Sequence, residues 1–440
     1  MKTQQKNSFY PVFISIIAAM GGLLFAIDAA IISGVVPFLK SEFVMSGSQI
    51  GMLVSSLVLG CIVGVMYSGT PADKIGRVNT LKLSALLFGI GAMGSAWSNS
   101  ETMFIVFRLI AGFSVGISSM VSPMYIAEVA PAKRRGQLVS LFQFTIVLGS
   151  LMGYFSNYWL VSMGDISWRI MMSVMLIPTL IFMIGLFFVP ESPRWLIQKN
   201  QLEKAKIFLE KLNSKEEAAL EIEAIQGSLS AKTETSFKAV FAKNYRLPLF
   251  IGISMAILQQ VTGINAIMYY APIIFEKSGL SINSAIQQTI LVGVINLTFT
   301  IVALFYVDKL GRRPLLIIGS ILMAISLITV YASFIFTLPS TVTLLAILLF
   351  IASFACSMGP LTWVVISELF PNAIRGKAMS LSIVFLWIAC FFVALLFPLL
   401  VDSIGIANTF LVFSFFSVIG VLFVLKFVKE TKGKELEEIN

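Results

Sequence analysis

The sequence predicts an all-α membrane protein of 12 transmembrane helices in two six-helix halves, with short cytoplasmic helices between the halves. Three observations predict it. Of its 440 residues 58% are hydrophobic and 12% charged, at a mean hydropathy of +0.93, which leaves too little polar surface to cover a water-soluble core. Twelve apolar runs can be read along the chain, each long enough to cross about 30 Å of hydrocarbon at a helical rise of about 1.5 Å per residue. Short polar motifs from the first half also return in the second. Asp73-Lys74-Ile75-Gly76-Arg77 recurs as Asp308-Lys309-Leu310-Gly311-Arg312. Glu128, Pro131, Arg135 and Gly136 recur as Glu368, Pro371, Arg375 and Gly376, and Glu191 recurs as Glu430. Three motif pairs at a nearly constant displacement mark a duplicated unit.

The runs cover roughly 9–37, 50–70, 78–98, 102–125, 138–162 and 169–189, then 247–275, 284–306, 314–337, 341–369, 376–400 and 406–428. Helix is the state that satisfies every backbone amide inside lipid. The first run exceeds a signal-peptide core and lacks a small-residue cleavage site, so it is retained as span 1. The gaps after spans 2, 4, 8 and 10 hold Lys74, Arg77, Lys133, Arg134, Arg135, Lys309, Arg312, Arg313, Arg375 and Lys377, against little beyond Lys40 and Lys277 opposite. By the positive-inside rule both termini are cytoplasmic in a multi-pass protein of the cell (inner) membrane. That bias accounts for the net charge of +9, so no nucleic-acid partner is needed.

The expected organisation is a bundle at 1–189, a cytoplasmic helical linker at 190–245, a second bundle at 246–428 and a tail at 429–440. Within the linker Leu202, Ala205, Leu209 and Leu212 keep a helical period in a Lys/Glu-rich setting, and a further helix is expected over 215–226. Cys61, Cys356 and Cys390 lie inside apolar runs, odd in number and without metal-like spacing, so neither disulfide nor zinc is expected. Short of a phosphate-cradling loop or a nucleophile-base constellation, the chain is expected to be no enzyme and to need no cofactor or metal.

Four features carry chemistry. Asp28 stands inside span 1, and a carboxylate in hydrocarbon costs about 2.5–3.5 kcal/mol or more, which marks a functional acid with a partner. It lies nine residues before Pro37, about 13 Å below the outer surface, and Arg108 lies at a similar depth in the inward-running span 4, about 9 Å down, so the two can meet. Burial raises an acid's pKa and a nearby guanidinium lowers it; proton affinity then changes whenever their separation changes. The chain has no histidine, which leaves proton handling to Asp28. Secondly, Asp73, Arg77, Glu128, Arg135, Asp308, Arg312, Glu368 and Arg375 gather at the cytoplasmic ends of spans, where ion pairs across the two bundles can close the inner side. Thirdly, Gln259, Gln260 and Asn265 in span 7 each offer donors and acceptors, which suits a ligand whose groups do both. Gln259 and Gln260 point about 100° apart and can bracket a ligand. Fourthly, Thr262-Gly263 beside them lets the helix break.

Gly21-Gly22-Leu23-Leu24-Phe25-Ala26-Ile27-Asp28, the two Asp-x-x-Gly-Arg loops, Pro190-Glu191-Ser192-Pro193-Arg194-Trp195-Leu196, Gln259-Gln260-Val261-Thr262-Gly263-Ile264-Asn265 and Glu430-Thr431-Lys432-Gly433 together resemble the sugar porter family of the major facilitator superfamily. Among its members the bacterial proton-coupled xylose, arabinose and galactose symporters are the most similar. The resemblance implies alternating access around a central site, with Asp28 as the proton-coupling acid and Arg108 its partner. It makes the charged loops an inner gate, to which Glu191 and Glu430 belong. It also places sugar contacts at Gln143, Asn296, Gly359, Trp363 and Trp387, with Phe25 lining the same cavity. The function it implies is proton-coupled uptake of a monosaccharide, whether pentose, hexose or related polyol, by a monomer in contact with membrane lipid. An uncoupled uniporter of the same fold and a sugar sensor are the alternatives.

The sequence also departs from xylose-type members. Ser150 and Leu386 replace polar groups, Ala389-Cys390 replaces an asparagine-containing pair, Val78 stands where a second Arg is usual, and Lys429 where Pro is frequent. A changed sugar preference is expected from the lost hydrogen-bonding groups.

Overall fold

The computed structural model describes residues 9–131, 134–212, 214–230, 240–370 and 374–430. Among them every regular element is helical. The first half contains Phe9–Glu42 (α1), Gly47–Ile75 (α2), Arg77–Ala96 (α3), Glu101–Val129 (α4) and Arg135–Leu160 (α5). Its sixth span is split into Ser167–Val174 (α6) and Leu176–Gly185 (α7). Pro178 explains the split, since it has no N–H for the Val174 carbonyl. Helix starts follow capping chemistry: Ser46 accepts from the Gln49 N–H while the Gln49 side chain accepts from the Ser46 N–H.

Close approach rather than apolar bulk joins the spans of this half. Gly60 and Gly64 on α2 face Gly112 and Gly116 on α4, and a Cβ on any of them would strike the backbone of the opposing helix. Small residues four apart are what allow helices to associate in lipid, where apolar burial supplies no drive.

The linker forms Pro193–Gln198 (α8), Leu202–Leu212 (α9) and Lys215–Ser230 (α10). The first of these was not expected, although Ser192 at the cap and Pro193 at the first position are a start signal. Leu196, Ile197 and Ala205 bury together against Trp195, Ile222 and Ile225. The expected stripe is shifted: Ala205 and Leu209 are buried, but Leu202 is exposed and Phe208 takes its place inward, its ring 6.4 Å from that of Tyr10. Leu202 lies on the same side of the helix as Ala205 and Leu209, but it is the first residue of α9 and stands at the exposed end of that face.

The second half holds Arg246–Val261 (α11), Ile264–Lys277 (α12), Ile282–Leu310 (α13), Arg312–Ile335 (α14), Ser340–Cys356 (α15), Met358–Glu368 (α16) and Arg375–Phe427 (α17). Span 7 breaks where expected, between Val261 and Ile264, with Gly263 left-handed at φ 93°. Span 10 breaks at Ser357, whose φ of −131° and ψ of −95° lie outside the helical region. Spans 11 and 12 run together as α17, with only Asp402 and Ser403 as polar residues between them. Gly405, at φ 82° and ψ 157°, turns the chain there. The Phe397 and Phe413 rings consequently lie 6.2 Å apart, whereas one straight helix would separate them by about 24 Å.

Among the described residues ten helical stretches are long and apolar enough to cross a membrane. Arg77–Ala96 is not among them because Asn79, Thr80, Ser84 and several glycines dilute its hydropathy, and Gly376–Phe427 is one stretch containing two spans. With α3 and the second limb of α17 the twelve expected spans are complete. The halves meet through α1 against α12, α2 against α17 and α5 against α13.

Gly263 yields a stability prediction. An added Cβ would lie 2.6 Å from the Phe413 ring, in a backbone conformation that costs a non-glycine residue about 1–2 kcal/mol even without the collision. Gly263→Ala is expected to lower stability by about 2 kcal/mol or more in detergent thermal melts; an unchanged midpoint would contradict this.

Candidate functional site

Asp28 lies in the middle of α1 and Arg108 in the third turn of α4, and the structure brings them together. Arg108 Nη1 donates to Asp28 Oδ1, with Arg108 1% and Asp28 0% exposed. Among the described residues that is the pair's one side-chain hydrogen bond: Asp28 Oδ2 and Arg108 Nε have no hydrogen-bond partner there. A buried ion pair stabilises only if its remaining lone pairs and protons are also satisfied. This one is half satisfied, so the attraction between the two charges, and not a wider hydrogen-bond network, is what holds it closed.

The span 7 amides form a chain of donors. Asn265 Nδ2 donates to Gln260 Oε1 at 2.5 Å, Gln260 Nε2 to Gln259 Oε1 at 3.3 Å, and Gln259 Nε2 to the carbonyls of Met358 at 2.9 Å and Gly359 at 3.0 Å. Those carbonyls lie just past the break in span 10. Both interrupted helices are therefore tied through one row of side chains, where the sequence suggested two glutamines facing a ligand from either side. A ligand hydroxyl that both donates and accepts can enter such a row in place of a link.

Around this row the structure places Trp387 on span 11 with its ring 5.4 Å from Phe25 of span 1, at 79°, so that an aromatic pair closes the gap between halves. Gln143 on α5, Asn296 on α13 and Trp363 on α16 are half-buried. Leu386 is buried, and Ser150 turns its hydroxyl to the Ile146 carbonyl of its own helix.

Two participants were missed. Cys390 was expected only as part of a pair that lacks an asparagine's hydrogen bonds, but its sulfur accepts from Asn265 Nδ2 at 3.1 Å and lies 3.9 Å from the Tyr269 hydroxyl. Helical spacing contains the signal, since Tyr269 follows Asn265 by four residues and Cys390 follows Trp387 by three. Tyr154 of the first half donates to the Met268 carbonyl of the second at 3.0 Å, a link that no sequence pattern marks.

At the polar ends of the spans Arg77 is 5% exposed and collects four acceptors. Its Nε and Nη2 donate to the two Glu128 oxygens at 3.0 and 3.1 Å, and its Nη1 to Asp73 at 3.2 Å and to the Ala72 carbonyl at 3.0 Å. Ser192 Oγ also donates to Glu128. The Glu191 carboxylate caps the start of α3, accepting from the Arg77 N–H at 2.9 Å and the Val78 N–H at 3.1 Å. Burial raises the Glu191 carboxyl above the usual range, an effect opposed by the Ser192, Arg77 and Val78 amides. The helix N-terminus favours its charged form.

The second half repeats the arrangement. Glu430 accepts from the Arg312 N–H at 3.0 Å and the Arg313 N–H at 3.1 Å at the start of α14, and Arg312 meets Glu368 at 3.5 Å. Where the first half has buried Val78, Arg313 reaches the Leu425 carbonyl at 2.7 Å. The side chains of Arg135, Asp308 and Arg375 lie outside the described residues. Among the described residues the ion pairs at the inner ends, Arg77 with Asp73 and Glu128 and Arg312 with Glu368, each join residues of one half. Pairs across the bundles are expected only when the inner side is shut.

Comparison with known proteins follows this geometry. The family model described as "Sugar (and other) transporter" matches residues 14–440. The D-xylose-proton symporter of Escherichia coli strain K12 is 40% identical over 99% of this chain and 96% of that protein. The arabinose-proton symporter of Bacillus subtilis strain 168 is 38% identical over 99% and 96%. Among solved structures, the inward-open conformation of the E. coli xylose transporter XylE superposes with a TM-score of 0.87 at 39% identity, over 98% of this chain and 99% of that one.

Proposed function

Because the chain belongs to the family of sugar (and other) transporters, we propose that it carries a monosaccharide into the cell together with a proton, by alternating access between two six-helix halves. The observation that carries the coupling is the buried Asp28–Arg108 contact. A proton arriving on Asp28 removes the charge that holds Arg108, and little else holds the pair, so α1 and α4 are released from each other. Sugar hydroxyls then replace links in the row Asn265, Gln260, Gln259, drawing the broken spans 7 and 10 toward the ligand. Gln143, Asn296 and Trp363 complete the polar and aromatic lining, Gly359 supplies a carbonyl, and Trp387 with Phe25 covers the sugar's apolar face.

The arrangement of the halves supports an inward-facing state. Gly47 and Gly51, at the start of α2, lie so close to Asp402 and the Leu395 carbonyl of span 11 that a Cβ on either would collide. That contact is at the end of span 2 opposite the Arg77 cluster. In this reading 1–189 and 246–428 are the rocking units, the helices of 190–245 and the tail from 429 lie in the cytoplasm, and the protein works as a monomer among lipids of the inner membrane. The charge clusters of Asp73, Arg77, Glu128 and Glu191, and of Arg312, Glu368 and Glu430, stiffen the inner rim of each half, and Arg135, Asp308 and Arg375 belong to the same rim.

Uptake into proteoliposomes tests the function, using a panel of labelled monosaccharides and an imposed pH gradient. Accumulation is expected only when the outside is the more acid side; equal uptake without a gradient would leave a uniporter instead. Within the same assay Gln260→Ala removes two hydrogen bonds of the row, each contributing about 0.5–1.5 kcal/mol. The apparent KM is expected to rise by about 5- to 150-fold, with a smaller change in maximal rate. A KM within twofold of the parent protein would remove Gln260 from the sugar site.

A further inference from the structure

A cavity of about 330 Å³ lies in the second half, between α11 and the two limbs of α17. Its lining is apolar throughout. On span 11 it takes Phe385, Ala389, Phe392, Leu396 and Leu400, three or four residues apart and so on one side of the helix. Trp387 and Cys390 point to the other side, where they meet Phe25 and Asn265. The cavity is therefore turned away from the centre of the molecule. Phe392 at 50% and Leu396 at 42% exposure stand at its rim, on a span whose exposed surface faces hydrocarbon.

The chemistry of the occupant follows from the lining. A buried water needs two to four polar partners, and apolar cavities of about 150 Å³, half this size, stay dry and take up benzene. Neither water nor a sugar is suited to this wall, whereas a hydrocarbon chain is, and the surrounding bilayer supplies one.

We propose that a phospholipid acyl chain enters this cavity from the bilayer and braces the break in span 7. Val261, on the wall, immediately precedes Thr262-Gly263, and Phe413, also on the wall, packs its ring directly on Gly263. A chain in the cavity presses on the Phe413 ring and through it on the backbone that separates Gln260 from Asn265. Binding of the chain rests only on the membrane-spanning fold; its influence on transport rests on the amide row being the sugar site.

The test reconstitutes the full chain in phosphatidylcholine vesicles containing a phosphatidylcholine with a diazirine on one acyl chain, followed by illumination and mapping of adducts by mass spectrometry. Adducts are expected at Val393, Leu396 and Val412 in roughly tenfold excess over Phe187 and Phe188, which are exposed apolar residues of the first half; burial of two methylene groups gives an excess of that order. Ala389→Trp fills the cavity and should abolish the excess, and Val412→Phe does the same if the first variant fails to fold. Adducts spread evenly over both surfaces of the parent protein, or an excess that survives filling, would overturn the proposal. Sugar uptake by the same vesicles is read separately: uptake with evenly spread adducts removes the lipid site alone, and enriched adducts without uptake remove the sugar reading alone.

Discussion

Asp28→Asn is expected to abolish accumulation of sugar against a gradient while exchange of labelled for unlabelled sugar across the membrane continues. The amide keeps the shape of the acid, and its oxygen can still accept from Arg108 Nη1, so the contact that positions α1 against α4 survives in part. What is lost is the exchangeable proton. One pH unit of gradient corresponds to about 1.4 kcal/mol, which supports about tenfold accumulation at one proton per sugar. The variant should equilibrate at a ratio of one whatever gradient is imposed. Persistent accumulation would place coupling elsewhere, and loss of exchange as well would show that the acid is needed for the rocking movement itself.

Arg77→Met should have the largest effect on stability. The guanidinium is buried and bonded to both oxygens of Glu128, whose side chain is only 11% exposed, so its removal leaves that carboxylate with little beyond Ser192. Breaking one partner out of a buried pair costs about 3–5 kcal/mol, mostly because the other charge stays behind. Asp73, at 64% exposure, is solvated and adds little. The melting transition in detergent should therefore fall steeply for Arg77→Met and recover in part for Arg77→Met combined with Glu128→Gln. Equal losses in the single and double variants would show that the attraction, and not the stranded acid, is what matters. Transport by the double variant then reports whether the cluster has any role beyond holding the first half together.

Much of the architecture was legible because lipid imposes simple rules on sequence. Spans announce themselves as apolar runs, and Asp28 and Arg108 could be matched by counting residues inward from the same outer surface. The break at Thr262-Gly263 was legible because only glycine takes that backbone conformation without strain. Other features depend on what stands opposite in space. The break in span 10 was legible too, since Pro360 has no N–H for the Cys356 carbonyl; that the Gln259 side chain would serve the Met358 and Gly359 carbonyls beside it was not. Cys390 entered the polar row for the same reason, as a residue whose type says little and whose neighbours say everything. The turn at Gly405 was visible as a gap between two runs, marked by Asp402, Ser403 and Asn408, although the helical backbone continues almost to it on either side. Pairing of the charged loops could not be assigned within or across halves from the motifs, because duplication preserves residue types and leaves the distance between copies open.

The carboxylates at positions 191 and 430 have a consequence for how the chain could be built. Each follows the sixth span of its own half, and each returns to seal the beginning of that half's third span. Neither half borrows this closing group from the other. A gene divided after the codon for Ser230, and expressed as two separate polypeptides, would thus give each fragment its own terminal clasp, leaving reunion of the fragments to the contacts within the bilayer.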